Sequence, residues 1–182
     1  MNSCKVITPR KFTDDRGFFC ETWNRRALLS EGIDIDFVQD NLSVSHDIGT
    51  VRGLHCQLPP HAQAKLVRCA RGRFFDVAVD IRKGSPRFGQ WVAEELSADN
   101  GKQFFIPAGF LHGFFTLEPN SEIIYKCSDY YAPDCDVSVR FDDPEIAIAW
   151  PITTARAILS DKDAAARRLC DFKSPFVYEA EK

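Results

Sequence analysis

A chain of 182 residues, 45% hydrophobic and 27% charged, can bury a core and is too rich in apolar residues for a disordered segment, so residues 1–182 read as one domain. Its formal net charge of −3 excludes the broad positive field that recruits nucleic acid or a membrane surface, and any anion site has to be local. Seven cysteines with no zinc-type short spacing, and no apolar run of about 18 residues, fit free thiols in a reducing cytoplasm and mark neither export nor membrane insertion.

Fifteen phenylalanines, ten prolines and ten glycines punctuate short segments of period two, the pattern of an all-β sandwich or barrel. In chain order the first predicted strands are residues 18–22 and 37–43, with a short helix over 25–31, closed by Gly32, between them. Residues 64–70 then run through Arg71-Gly72, whose glycine admits the positive φ of a tight hairpin, into a partner strand over 74–81. There Phe75, Val77, Val79 and Ile81 share one face, while Phe74, Asp76, Ala78 and Asp80 share the other. Further strands are predicted over 91–96, 103–106, 112–117, 122–127 and 137–141, and a second helix over about 162–169 with Ser160 as its cap.

Between two of these strands lies Pro107-Ala-Gly109-Phe-Leu-His112. Pro107 has no N–H for a ladder, Gly109 permits a tight turn, and His112 opens the next strand, pointing with Phe114 and Thr116 into the barrel. This Pro-x-Gly-x-x-His turn resembles the second sequence motif of cupin barrels. Metal-binding cupins carry an earlier His-x-His segment, but here the region reads Arg52-Gly-Leu-His55-Cys-Gln57, with one imidazole. Catalytic metal sites usually supply three protein ligands, so no metal is expected. Arg52 offers a planar fork and Lys65 a compact charge, a combination suited to an anionic ligand. His46 and His61 lie in polar sequence and read as surface residues.

Each remaining candidate has a purely structural alternative. His55 also reads as a half-buried barrel histidine, and Tyr125, between Ile123 and Cys127, as a core residue with a satisfied hydroxyl. Ser160-x-x-Asp163 has the form of a helix capping box. Tyr131 reads equally as a loop anchor, and Asp76 and Asp80 as buried hydrogen-bond acceptors.

Taken together, the segments resemble the dTDP-4-dehydrorhamnose 3,5-epimerase family. The matching stretches include Asp15-Arg-Gly-Phe-Phe, Phe37-Val-Gln-Asp-Asn41, Arg52-Gly-Leu-His55, Gln63-Ala-Lys-Leu-Val67, Tyr125-Lys126, Tyr130-Tyr-Ala-Pro133 and Leu159-Ser-Asp-Lys-Asp163, and the likeness runs from about Thr8 to Asp163. It implies an all-β double-stranded β-helix (cupin or jelly-roll) barrel with a few short helices, commonly a homodimer. The implied reaction inverts C3 and C5 of dTDP-4-dehydro-6-deoxy-D-glucose to give dTDP-4-dehydro-L-rhamnose, on the route to dTDP-L-rhamnose, without a cofactor. The resemblance makes His55 the base, Asp163 its dyad partner and Tyr125 the general acid. It puts Lys65 and His112 near the keto and pyrophosphate groups, Arg16, Arg52 and Lys162 on the substrate, and Glu21, Gln39, Asp40 and Asn41 on the nucleotide side, with Tyr131 stacked on thymine. Asp136 stands where the family often has Glu, a shorter arm at a substrate contact. Leu42 stands where the family often has His, Cys56 where an aromatic is common, and Phe141 where Trp is frequent.

Overall fold

The computed structural model describes residues 3–151, 153 and 156–180. In chain order its strands are β1 (Lys5–Ile7), β2 (Lys11–Asp14), β3 (Gly17–Cys20), β4 (Gln39–Ser45), β5 (Val51–Gln57), β6 (Lys65–Arg71), β7 (Arg73–Asp80), β8 (Trp91–Ser97), β9 (Gln103–Ile106), β10 (Phe110–Thr116), β11 (Ser121–Cys127) and β12 (Asp136–Ser138). Two short helices, α1 (Arg25–Ser30) and α2 (Asp161–Ala164), complete the regular elements among the described residues apart from single 3-10 turns. Two five-stranded antiparallel sheets face each other, one ordered β1-β9-β6-β11-β4 and the other β12-β5-β10-β7-β8, with β2 and β3 forming a separate hairpin. This is the expected cupin-type, β-rich architecture.

The space between the sheets is filled by Val67, Phe74, Ala78, Phe104, Phe110, Phe114 and Ile123, all buried, with Tyr125 packed against them. The wholly apolar face of β7 points the other way. Val77, Val79 and Ile81 pack outward under Val139, Ile146, Leu169 and Phe172 from the C-terminal part of the chain. The mixed face of β7, bearing Asp76, therefore faces inward, because a strand covered on both sides can place its polar positions wherever they find a partner.

Three expectations need correction. The segments either side of Gly72 do not form a hairpin: β6 pairs with β9 and β11, while β7 pairs with β10 and β8. Gly72 has φ +76, and a Cβ there would lie 2.6 Å from Ser121 Oγ, so this turn carries the chain from one sheet to the other. A turn signal specifies reversal, and the pairing partner is decided by which sheet buries the strand. The second helix is a single turn, since Arg167 bridges to Val139 and the Leu169 N–H donates to Asp143 Oδ2 at 2.8 Å. Ser160 does cap it, accepting from the Asp163 N–H at 3.2 Å. The strand expected over 137–141 is β12 followed by the lone Val139 bridge.

Candidate active site

The site is organised by two adjacent strands. β5 and β10 pair with His55 opposite His112, and the ladder shifts register between His112 and Phe114. At that shift the backbones of Gly53 and Gly113 meet: a Cβ on Gly53, whose φ is +137, would lie 2.5 Å from Gly113 Cα. Only glycine tolerates both the contact and the torsion, and the resulting bulge lets Arg52 and His55, an odd three residues apart on β5, face the same cavity.

That cavity is about 640 Å³ and lies between the sheets at the side closed by β4 and α2. His55, Arg52 and His112 enter it from β5 and β10, Lys65 and Tyr125 from the opposite sheet, and Lys162 and Asp163 from α2. The α2 residues are brought there by residues 156–160, since Ile158 bridges to Thr50 and the Val51 N–H donates to Ile158 O at 2.9 Å. Phe114, Leu159 and Leu42 add apolar wall.

His55 Nε2 lies 2.5 Å from Asp163 Oδ1, and the Asp163 side chain is only 4% exposed. Burial alone would raise the Asp163 carboxyl, but the hydrogen bond from His55 and its charge, with Ser160 and the Gly53 backbone, outweigh it and hold the group below the usual carboxylate range. Asp163 makes both contacts at once, its N–H donating to the capping Ser160 hydroxyl and its side chain meeting His55. Burial, reinforced by Cys127, pushes the Tyr125 phenol above its ordinary value against the pull of Arg52, so it stays protonated at neutral pH. Lys65 Nζ sits 5.9 Å from the centre of the Tyr125 ring. On the far side of the cavity, His112 Nε2 lies 2.7 Å from Asp76 Oδ1, both side chains being buried.

The other candidates divide into three groups. Gln39, Asp40 and Asn41 lie on β4 beside the cavity: Gln39 Oε1 accepts from the Tyr131 N–H at 2.9 Å, its Nε2 donates to Asn41 Oδ1 at 3.1 Å, and Asp40 pairs with Lys126 at 3.1 Å. Tyr131 is exposed and donates its hydroxyl to Asp136 Oδ2 at 3.2 Å, and Asp136 pairs in turn with Lys162, so these three lead from the surface to the cavity. Arg16 and Glu21 do not line the cavity. Arg16 pairs with Asp14 at 2.6 Å on the β2–β3 hairpin, and Glu21 accepts from Asn24 Nδ2 at 2.8 Å. His46 and His61 are exposed, as their polar surroundings indicated.

Among the departures, Leu42 lines the cavity, whereas Cys56 and Phe141 are packing residues, Phe141 lying 5.9 Å from the Trp150 ring. The partner of Asp76 was not legible in the sequence. Asp76 is paired in register with Phe114, two residues from His112 on the adjacent strand, and only that pairing brings carboxylate and imidazole together. Among the described residues no three of His, Cys, Asp or Glu are grouped to hold a metal ion, and no helix is long and apolar enough to cross a membrane.

Fold and site define a cupin-type barrel whose cavity is lined by two histidines, a tyrosine, an aspartate and the cations Arg52, Lys65 and Lys162. The family model described as dTDP-4-dehydrorhamnose 3,5-epimerase matches residues 1–171. A Sinorhizobium fredii protein named dTDP-4-dehydrorhamnose 3,5-epimerase is 50% identical over 174 residues, covering 96% of this chain and 89% of that protein. A Pseudomonas aeruginosa protein of the same name is 50% identical over 167 residues, covering 91% of each. The crystal structure of the Legionella pneumophila dTDP-6-deoxy-D-glucose-3,5-epimerase in complex with dTDP-4-keto-L-rhamnose is similar with a TM-score of 0.92 at 46% identity, covering 97% of this chain and 94% of that one. The chain belongs to the dTDP-4-dehydrorhamnose 3,5-epimerase family and is an isomerase of that type.

Proposed function

We propose that this protein inverts C3 and C5 of dTDP-4-dehydro-6-deoxy-D-glucose, giving dTDP-4-dehydro-L-rhamnose for dTDP-L-rhamnose synthesis, with no cofactor. The observation that carries the reading is that His55 and Tyr125 project from facing sheets into one cavity that also holds Arg52, Lys65 and Lys162.

A proton on a carbon next to the C4 ketone is acidic because the carbanion delocalises into the carbonyl as an enolate, so a base and an anion stabiliser suffice. With His55 Nε2 engaged by Asp163, Nδ1 is the lone pair that takes the proton, and the ionised Asp163 steadies the imidazolium that results. Lys65 stabilises the enolate oxygen. Tyr125 gives its hydroxyl proton to the same carbon from the opposite face, which inverts it, and the phenolate then recovers a proton from solvent. Arg52 and Lys162 attract the diphosphate, Lys162 being positioned through Asp136 and Tyr131.

The same reading makes the working unit a homodimer of single-domain chains, in a reducing cytoplasm suited to seven free thiols. The β2–β3 hairpin exposes Phe18 at 59% and Phe19 at 70%, and β4, which pairs only with β11 among the described residues, exposes Leu42 at 62%. A partner's hairpin laid across β4 would cover both surfaces and carry Arg16 and Glu21 toward the cavity mouth.

The decisive experiment incubates protein and the 4-keto sugar nucleotide in deuterated water. Deuterium is expected at C3 and C5 of an inverted product, and folded protein that exchanges neither carbon ends the reading.

A further inference from the structure

The carboxylate behind His112 is in an unusual position. Asp76 has no exposed surface, its Oδ1 lies 2.7 Å from His112 Nε2, and its Oδ2 is buried with no hydrogen-bond partner among the described residues. Inside the barrel it lies between Phe74 and Ala78 on its own strand face and opposite Phe114 on β10, all three buried apolar residues. An ionised carboxylate spreads its charge over two oxygens and, in an apolar interior, is penalised when one of them meets nothing, as any unpaired buried charge is. A neutral carboxylic acid whose hydroxyl donates to an imidazole nitrogen is satisfied by that one bond.

The groups facing the pair are Lys65 from β6, Arg52 and His55 from β5, Tyr125 from β11, and Cys4 ahead of β1, while Glu94, opposite Asp76 on β8, is taken up by Lys102 at 2.5 Å and Asp80 further along β7 by Arg82 at 2.6 Å. Lys65 favours an anion at Asp76, but both Lys65 and His55 oppose a cation at His112, so an imidazolium–carboxylate pair is disfavoured on its imidazole side. Burial drives the Asp76 carboxyl up against the pull of His112 and Lys65, and burial drives the His112 imidazole down.

We infer that Asp76 is held as a neutral carboxylic acid donating to His112 Nε2, which keeps His112 neutral with its proton on Nδ1, as a fixed N–H donor to a substrate oxygen. Asp76 is thus a positioning residue acting through His112. What the donor meets rests on the proposed function, where the C4 oxygen is the atom that gains charge. Donating from a neutral imidazole stabilises that charge without handing the proton over, whereas an imidazolium beside an enolate would protonate the oxygen and stall the return of hydrogen to carbon.

The test is ¹⁵N NMR of histidine-labelled protein, with His112→Asn identifying the signals among four histidines. The expected spectrum has a protonated Nδ1 and an unprotonated, hydrogen-bonded Nε2 at residue 112, unchanged from pH 5 to 8. An imidazolium there, or a proton on Nε2, overturns the assignment. This spectrum does not depend on turnover, so inactive protein with the expected spectrum would sink the epimerase reading alone. As a second readout, Asp76→Ala should lower isotope exchange by roughly 10²-fold, the usual cost of a mispositioned oxyanion donor, with Asp76→Asn restoring it to within about fivefold because its amide N–H replaces the acid hydroxyl. An Asn variant as impaired as the Ala variant, or an Ala variant equal to wild type, counts against it.

Discussion

Two histidine–aspartate pairs flank the same cavity from neighbouring strands, and they differ in almost everything except composition. His55 is half-buried and its carboxylate partner comes from a short helix after a long excursion of the chain, where Ser160 and the Gly53 backbone help to keep Asp163 charged. His112 is buried and its partner sits on the next strand, with one oxygen unsatisfied and apolar side chains around it. The contrast teaches that the identity of a pair does not set its chemistry. On the proposed mechanism, the number of hydrogen bonds left for the carboxylate decides whether the imidazole beyond it serves as a base or as a donor.

The comparison breaks most sharply at His55, the proposed base. His55→Ala should lower deuterium wash-in at C3 and C5 by about 10⁴-fold, the upper range for a positioned general base, and turnover near wild type would remove His55 from that role. Tyr125→Phe should have a smaller and more telling effect: net inversion falls by roughly 10²–10³-fold while wash-in with retention of configuration persists, because His55 can return a solvent-exchanged proton from its own side. Product stereochemistry by NMR separates the two losses, and equal loss of both would remove the phenol from the acid role.

The smallest effect concerns stability against pH, and it has opposite signs at the two pairs. Asp163 is lowered in the native state, so its contribution is fully present above the unfolded carboxylate value of about 3.9 and is lost as pH falls through its native value. Asp76 is raised, so its burial costs nothing while the unfolded group is also protonated, and it destabilises progressively as pH climbs above about 3.9 toward the native value. In urea unfolding between pH 3 and 7, Asp163→Asn should therefore differ most from wild type at the neutral end and converge with it in acid. Asp76→Asn should gain on wild type as pH rises, and parallel curves for the two variants would contradict the opposite charge states.

Much of this was readable from local sequence. The period-two segments located most strands, Pro107 and Gly109 bounded the turn into β10, Ser160 marked the start of α2, and alternation turned His112 and Phe114 inward. β5 was not read as a strand because Gly53 interrupts its alternation, and β1 and β2, at three and four residues, are too short for a periodic signal. Of the candidate residues, His55, Arg52, Lys65, His112, Tyr125, Lys162 and Asp163 meet in the cavity, whereas Arg16 and Glu21 lie off it on this chain.

By itself the sequence determined the β-rich class, the inward turn of His112 and the set of ionisable groups available, since those follow from backbone torsions and side-chain period within a few residues. Only the tertiary structure decided that β6 and β7 part into different sheets, that Gly53 and Gly113 admit one another, and that Asp76 and Asp163 come to rest behind different histidines. Those outcomes depend on which surfaces bury one another across tens of residues, and it is burial and the count of hydrogen bonds at the end of that process that set each carboxyl group's charge.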